Sequence, residues 1–393
     1  MTAFWSAILL IAAVGVALPM LMWSLECAAA LIGPRRSRDL AGVARPGIVV
    51  LVPAHNEAAG IRSALETILP QLQPGDRAIV VADNCTDDTA NIARVCGVQV
   101  IERNDPLRTG KSYALDFGWR SVEADPPGVL LVFDADCRVD PGAVDHLARL
   151  AFTTGRPVQA SYLLTPPDAS TPQHEVAALG LVVRNLARSM GLDRLAGLCF
   201  LNGSGMAFPG TVMRRVNLAN AKIAEDRWMT VDLALAGHLP LFSPDAIVRS
   251  RFPERPHARH SQRTRWIHGH LDCMRVQGPR LLWGSLRQRE FALFALAMDL
   301  FVPPLSLLLA LWLVVMAASV VPAVLGFGWL PAVVTVAAAA IMVLSFTAVT
   351  LKFAPAGRRE LLAIPAYVLF GFPHYISYLI RREKRWVRTD RDP

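Results

Sequence analysis

The chain has 393 residues, of which 53% are hydrophobic and only 18% charged, and its formal net charge is +8. This balance is too apolar for an ordinary soluble domain, and the length allows one large catalytic domain together with membrane segments. A basic chain can bind nucleic acid, anionic lipid or an anionic substrate. Because the basic residues here stand beside apolar runs, we expect membrane lipid as a partner and no nucleic acid.

The six cysteines form neither a C-x-x-C pair nor the spacing of a zinc site. Scattered single cysteines are typical of reduced thiols in a domain that faces the cytosol. We therefore favour structural thiols over a catalytic one.

Residues 3–32 form an apolar run that contains one acid, Glu26. About 20 residues are enough to cross a bilayer, so residues 1–33 are predicted to be a transmembrane helix. A cleaved signal peptide would need a basic start, and residues 1–5 contain no basic side chain. The basic residues follow the run: Arg35, Arg36, Arg38 and Arg45. Because positive residues stay in the cytoplasm, we expect a multi-pass protein of the inner (cell) membrane whose next domain is cytosolic.

Residues 46–255 have the pattern of an α/β domain. Apolar strand-like runs cover residues 47–53, 78–82 and 129–133, and helix-like stretches cover residues 61–68, 89–96 and 111–122. This alternation predicts parallel strands with helices on both faces. Ligands of such sheets bind beyond the carboxyl ends of the strands, where each of these three runs is followed by polar residues.

The C-terminal third predicts further membrane segments. Residues 256–287 are predicted to form an amphipathic helix on the membrane surface, and a helix packed on the domain is the alternative. Residues 290–352 hold two more spans, the first kinked at Pro303-Pro304. Residues 360–393 combine an apolar stretch with a basic tail. Because that stretch has basic residues on both sides, we expect an interfacial or re-entrant segment instead of a clean crossing.

Asp134-Ala135-Asp136 directly follows the third strand-like run. A hard divalent cation prefers oxygen ligands and commonly bridges phosphate oxygens. The pair of Asp134 and Asp136 therefore predicts a site for Mg2+ or Mn2+. Asp134 is expected to serve the metal and the donor diphosphate together.

The ends of the first two strands predict contacts to a nucleoside. Backbone and side chains of four residues could frame it after the first strand: Pro53, Ala54, Asn56 and Glu57. Asn56 could equally be a helix cap. Asp83 ends the second strand and could accept hydrogen bonds from a base or a ribose. Lys111, at the start of a predicted helix, offers a cation for a diphosphate; the first glycine of a Walker motif is missing, which argues against a kinase or ATPase.

Three later motifs complete the predicted site. Asn202, Gly203 and Ser204 lie in an apolar stretch where glycines allow an acceptor to approach the backbone, although a simple turn is an equal alternative. Glu225-Asp226 could deprotonate an acceptor hydroxyl. A third group, on a basic helix, could hold a leaving diphosphate and stack on a sugar ring. Its members are Gln262, Arg265 and Trp266.

In this order the motifs resemble the membrane-bound processive branch of glycosyltransferase family 2. That branch includes cellulose, chitin, hyaluronan and poly-N-acetylglucosamine synthases, and ceramide glucosyltransferases share much of it. The family order of a first Asp, a D-x-D, a (T)ED and a Q-x-x-R-W is matched at 83, 134–136, 225–226 and 262–266. The resemblance covers residues 46–286.

The resemblance implies a GT-A type fold and an inverting single displacement from a UDP-sugar. It also implies that Asp83 contacts uridine, that Asp136 binds the metal, that Asp226 is the general base and that Trp266 stands at the acceptor end. Two features depart from the polymer synthases. Ala224 stands where they usually have Thr, and the number of membrane spans is low for a polymer channel. Both departures leave processivity, secretion and any export subunits open.

The leading hypothesis is sugar transfer to a growing exopolysaccharide or a lipid-linked acceptor, and a ceramide-glucosyltransferase-like single transfer is its nearest alternative. A non-catalytic sugar-nucleotide sensor is expected to have lost Asp136 or Asp226, and both are present. A transporter component would carry its charged groups inside the spans, whereas the recognisable chemistry lies outside them. A nucleotidyltransferase also uses carboxylates and metal, but the Q-x-x-R-W element argues against it.

Overall fold

The computed structural model describes residues 2–35, 40, 42–167, 170–214, 216, 218–219, 222–354 and 371–380. These residues form two compact units, each discontinuous in sequence. One is an α/β unit drawn from residues 34–170 and 197–269, and the other is a helical unit drawn from residues 1–33, 171–196 and 270–382.

The strands of the α/β unit are β1 (Ile48–Ala54), β2 (Arg77–Asp83), β3 (Gln99–Arg103), β4 (Val129–Val132), β5 (Arg138–Val139), β6 (Val158–Thr165), β7 (Met206–Pro209) and β8 (Leu241–Arg251). The α-helices among the described residues are α1 (Thr2–Leu31), α2 (Ile61–Ile68), α3 (Thr89–Val95), α4 (Lys111–Arg120), α5 (Ala143–Thr154), α6 (Pro172–Val182), α7 (Ser189–Ala196), α8 (Gly210–Met213), α9 (Glu225–Leu235), α10 (Pro256–Gln288), α11 (Phe291–Leu300), α12 (Leu305–Pro322), α13 (Leu330–Phe353) and α14 (Phe372–Ile380).

The described strands form one sheet in the order β3-β2-β1-β4-β7-β6-β8-β5. The first four strands in this order are parallel. Strands β1, β2 and β4 correspond to the three predicted runs, and the edge strand β3 was not predicted. The other half is mixed: β7 runs antiparallel to β4 and β6, β6 and β8 are parallel, and the short β5 runs antiparallel to β8. The parallel half therefore presents the carboxyl ends of β2, β1 and β4 at one edge of the sheet.

Strand β1 shows why the apolar runs fold this way. Val50 and Val52 face a core completed by α2, α3 and α5. Val49 and Leu51 face the opposite core, which α4 and α9 help to close. Because both faces are covered, the strand is apolar at nearly every position and does not alternate with polar residues.

The helical unit contains three described helices that are long and apolar enough to cross a membrane: Phe4–Leu31, Leu305–Gly326 and Leu330–Phe353. Two of its acids, Glu26 and Asp299, are paired inside it. Arg188, at the end of a π-helical stretch between α6 and α7, donates from Nε to Glu26 Oε2 at 2.6 Å and from Nη2 to Asp299 Oδ1. Glu26 is fully buried. An acid within an apolar helix is costly unless it is paired, and this ion-pair cluster accounts for the acids of α1 and α11.

The helix is interrupted at Pro303-Pro304 and is not merely kinked there. Helix α11 ends at Leu300, and α12 begins at Leu305 with Pro304 at its N-cap. A proline lacks the N–H that continues a helix, and it disfavours helical backbone in the residue before it. The expected single kinked span is therefore a short apolar helix followed by a candidate span.

Several expectations fall outside the described residues. Arg36 and Arg38 lie there, as do residues 355–370 and 381–393. Of the predicted interfacial or re-entrant segment, only α14 and the residue before it are described. The helix expected within residues 256–287 corresponds to α10, and its predicted place at the membrane surface stays a prediction.

Candidate active site

The D-x-D segment lies at the carboxyl edge of the parallel strands. Strand β4 ends at Val132, Asp134 follows two residues later, and Asp136 lies in the turn after it. The backbone N–H of Asp134 donates to Ser204 Oγ at 3.0 Å. Ligand atoms of Asp134, Asp136 and Cys137 all lie within 4.8 Å of one another, so the structure contains an acidic group able to hold a metal ion.

The donor set fits a hard cation through its carboxylates. Burial raises the pKa of the Cys137 thiol well above its usual range, and the neighbouring Asp136 and Asp134 charges raise it further. A thiol that keeps its proton is a poor ligand. Asp136 Oδ2 accepts a hydrogen bond from Ser250 Oγ at 3.0 Å, which orients that carboxylate. The two carboxylates, with oxygen ligands from a diphosphate, suit Mg2+ or Mn2+.

Lys111 connects the D-x-D segment to the segment around Gly203. At the start of α4, its Nζ donates to Asp134 Oδ1 and to the Gly203 carbonyl oxygen, the latter at 2.6 Å. Burial lowers the Lys111 pKa, but attraction from Asp134 and Glu225 outweighs this, so the pKa is raised overall. Lys111 therefore carries a fixed positive charge beside the metal carboxylates.

Gly203 lies between Lys111 and the second acidic motif. Its φ is +90°, a conformation that favours glycine. A Cβ built on it would lie 3.7 Å from both Asp226 Oδ2 and Lys111 Nζ. The side-chain nitrogen of Asn202, next to it, is buried and has no hydrogen-bond partner among the described residues. The predicted acceptor segment thus lies against the predicted base, with an unsatisfied donor beside it.

Glu225 and Asp226 open helix α9, after Ala224 in the left-handed conformation with φ +59°. Asp226 Oδ1 accepts the N–H of Arg227 at 2.8 Å, while Oδ2 faces Gly203. Burial raises the pKa of Glu225, and repulsion from Asp226 raises it further, against the attraction of Lys111. The two adjacent acids therefore have different environments.

The first part of α10 packs against the start of α9. A Cβ built on Gly269 would lie 2.8 Å from Ala224 Cβ, so these residues approach closely. Arg265 is near enough to Glu225 to lower that residue's pKa. Gln262 is buried, and Trp266 is partly buried. The Q-x-x-R-W residues thus lie on a helix held beside the acidic pair.

Asp83 stands at the end of β2, separated from β4 by β1 in the sheet. It is buried, and its Oδ1 accepts hydrogen bonds from Arg103 Nη1 at 2.6 Å and from Asn84 at 3.0 Å. Burial raises the Asp83 pKa, opposed by the Arg103 ion pair. Arg103, which the sequence analysis did not single out, orients this carboxylate.

The loops after β1 and β2 interlock. The Asn56 side chain donates to Thr86 Oγ1 at 3.0 Å and accepts from the Thr86 N–H at 2.7 Å. The Glu57 N–H donates to Thr89 Oγ1 at 2.8 Å. Asn56 therefore joins two loops and does not cap α2, whose N-cap is Gly60. Pro53 and Ala54 are the last two residues of β1.

Two buried side chains near this site belong to none of the sequence motifs: Gln159 on β6 and Thr230 on α9. Both have 0% exposed surface and bond to residues 201–204. A lone amide within an apolar strand was a usable signal for Gln159, because buried polar groups are nearly always hydrogen-bonded. Thr230 gave no such signal, since its hydroxyl could equally bond within its own helix.

Comparison with known proteins identifies the family of the chain. A family model described as "Glycosyltransferase like family 2" matches residues 46–269, more than half of the chain. The chain belongs to this family. The motif order implied the same family.

Two curated relatives illustrate the range of the family. Probable glycosyltransferase YdaM of Bacillus subtilis is 26% identical over 249 residues, which are 57% of this chain and 55% of the relative. Poly-beta-1,6-N-acetyl-D-glucosamine synthase of Staphylococcus epidermidis is 20% identical over 273 residues, 64% of this chain and 60% of the relative. This family 2 chain thus matches less than two thirds of the length of each.

Among solved structures, the mannosyltransferase PcManGT from Pyrobaculum calidifontis, in complex with GDP-Man and Mn2+, superposes with a TM-score of 0.56. The identity is 18%, and the match covers 98% of this chain and 100% of that one. The fold is of the GT-A type with apolar helices at the N-terminus and in the C-terminal region. The predicted fold class is confirmed.

Proposed function

We propose that this chain is a membrane glycosyltransferase that moves a sugar from a UDP-sugar to a growing exopolysaccharide or a lipid-linked acceptor, with inversion and with Mg2+ or Mn2+. The observation that carries the proposal is the convergence around Gly203. Lys111, which also contacts Asp134, and Asp226 Oδ2 both approach the position that a Cβ on Gly203 would take. The groups proposed to hold the donor diphosphate and the proposed acceptor base thus meet at the same glycine.

The chemistry follows from these positions. Asp226 Oδ2 takes the proton of an acceptor hydroxyl, whose oxygen attacks the anomeric carbon while the bond to the UDP oxygen breaks. Held by Asp136 and Asp134, the cation would supply charge that offsets the departing diphosphate. Lys111 and Arg265 add fixed positive charge near the same site. Asn202 offers its buried, unpaired amide to an acceptor hydroxyl.

Other parts of the site are assigned to the donor and acceptor. Asp83, oriented by Arg103, together with residues 53–57, would contact the uridine. Trp266 would stand at the acceptor end. Three apolar helices support membrane lipid as a partner, and the basic residues after α1 support a cytosolic catalytic domain at the inner membrane.

GDP-mannose is a second candidate donor. PcManGT, which matches nearly the whole chain, was solved with that nucleotide sugar. The resemblance of the ordered motifs to UDP-sugar synthases favours UDP, and the two donors are separated by one assay.

The test is to incubate membranes that contain the protein with a panel of radiolabelled UDP-sugars and GDP-mannose. The product is then partitioned between lipid extract and high-mass polymer. We expect one UDP-sugar to leave its label in one of these fractions. Membranes with Asp136→Asn are the matched control, and neither of their fractions should contain label. Label from GDP-mannose alone would replace the proposed donor, and no transfer from any donor would overturn the function.

A further inference from the structure

Residues 201–205, called here the 201–205 loop, are fixed by hydrogen bonds from buried side chains. The Leu201 N–H donates to Thr230 Oγ1 at 2.9 Å, and the Asn202 N–H donates to Gln159 Oε1 at 2.8 Å. Gln159 Nε2 in turn donates to the Ser204 carbonyl at 2.8 Å. Buried loops are rare because their backbone groups need partners, and here two side chains supply them.

Thr230 joins the loop to the helix that carries the proposed base. Its hydroxyl accepts from Leu201 and donates to the Asp226 carbonyl oxygen at 2.8 Å. The Thr230 hydroxyl oxygen therefore bonds to the backbone of the 201–205 loop and to the backbone of Asp226. The separation of this loop from Asp226 matters for transfer. Thr230 has no exposed surface, so it acts on an acceptor only through its neighbours.

Gln159 fixes the opposite side of the loop. Its amide spans from Asn202 to Ser204 and so brackets Gly203, whose carbonyl accepts from Lys111. Beyond this bracket, a Cβ on Gly205 would lie 2.7 Å from Ala160 Cβ. The loop is thus packed directly on the strand that carries Gln159, and neither end is free to shift.

We propose that Thr230 and Gln159 are positioning residues for the transfer step, fixing the 201–205 loop so that an acceptor hydroxyl meets Asp226 Oδ2. The proposal rests on the proposed function of Asp226 and of the loop. Misplacement of reacting groups by about 1 Å can cost about a hundredfold in rate. Loss of these bonds should therefore lower the transfer rate without weakening donor binding.

The experiment compares Thr230→Val, which keeps the shape and loses the hydroxyl, with Thr230→Ser, which keeps the hydroxyl. For Thr230→Val we expect a fall in transfer kcat of about ten- to a hundredfold, an unchanged KM for the donor, and a larger share of donor lost to water. Thr230→Ser should restore the rate. Gln159→Met, which removes the hydrogen bonds to Asn202 and Ser204, should also lower kcat.

Two readouts distinguish positioning from simple loss of fold. The melting temperature and the amount of folded protein in detergent show whether Thr230→Val is intact, and rates are expressed per folded enzyme. Equal kcat per folded enzyme in the Val and Ser variants would overturn the proposal.

Hydrogen exchange separates failure of this proposal from failure of the proposed function. Peptides covering residues 201–204 should exchange faster in Thr230→Val than in Thr230→Ser, whether or not any sugar is transferred. If the wild-type protein transfers no sugar, the proposed function fails and the positioning role fails with it, although faster exchange would still show that Thr230 holds the loop. Unchanged exchange with an active wild type would overturn the positioning role alone.

Discussion

The two carboxylate oxygens of Asp226 have different environments. Oδ1 accepts an N–H of its own helix, and Oδ2 faces Gly203. Asp226→Asn keeps the shape and removes the proton acceptor, so UDP binding should remain while transfer falls by about a hundred- to ten-thousandfold. Binding by calorimetry and transfer by radiolabel would check this. Lost binding with normal transfer at saturating donor would show that the base is assigned wrongly.

Glu225, the neighbour of Asp226, should affect the thermal stability of the protein. Burial and the charge of Asp226 raise its folded-state pKa, so its contribution to stability is present below the unfolded pKa and is lost as pH rises through the folded value. Glu225→Gln should therefore melt higher than wild type at pH 7.5. The difference should shrink on acidification and vanish below about pH 4.3, the ordinary Glu value.

A matched control is Glu102→Gln, which changes an exposed ion pair with Arg94. Exposed pairs contribute about 0–1 kcal/mol, so its melting temperature should differ little at either pH. A Glu225→Gln variant less stable than wild type at pH 7.5 would contradict the environment described for this acid.

For single residues, the sequence could predict the site residues that directly follow a buried strand. It could not predict the side chains that fix the site residues by hydrogen bonds. Asp134 and Asp136 come directly after an apolar run, so their edge of the sheet was predictable. Lys111 was expected to meet a phosphate, and its contacts to Asp134 and Gly203 depend on the packing of α4. Gln159 and Thr230 act over long sequence separations, which motif spacing does not record.

At the level of elements, Gly191 on α7 determines how closely that helix approaches α1. A Cβ built there would lie 1.9 Å from the Glu26 carbonyl oxygen, a backbone atom that cannot move aside alone. Gly191→Ala should therefore separate the helices and destabilise the helical unit by about 1–3 kcal/mol or more. Thermal unfolding in detergent would measure this.

Gly180, on the neighbouring α6, is the control, because nothing lies within 4 Å of a Cβ built there. Gly180→Ala should be neutral or stabilising by up to about 1 kcal/mol, since alanine favours helix. Equal melting temperatures for the two variants would show that α1 and α7 do not pack as described.

The parallel half of the sheet and its helices were predictable because continuous apolar runs mark strands covered on both faces. The mixed half was not. Strand β7 has four residues and β5 has two, too few for a periodic pattern, and their pairing is decided by tertiary contacts. The sequence predicted only a kink at Pro303-Pro304. The helix breaks there because two adjacent prolines remove more backbone hydrogen bonds than one.

For the whole molecule, the basic residues after α1 predict its orientation. A cysteine placed at residue 2, by Thr2→Cys, should react with a membrane-impermeant maleimide added outside intact cells. The partly buried Cys96 of the α/β unit should react only after the membrane is opened. Wild-type protein serves as the control for native thiols. Labelling of Cys96 in intact cells would contradict a cytosolic catalytic domain.

The most direct test of sugar transfer at the D-x-D segment is the metal-dependent release of UDP from a UDP-sugar by Asp136→Asn. Asp125→Asn, which alters a carboxylate whose side chain is 89% exposed, is the matched control. With Mn2+ or Mg2+ added, wild type and the control should release UDP, and Asp136→Asn should release none above background because the neutral amide lacks the charge of the carboxylate ligand. Full release by Asp136→Asn would contradict the assignment of this carboxylate to the metal.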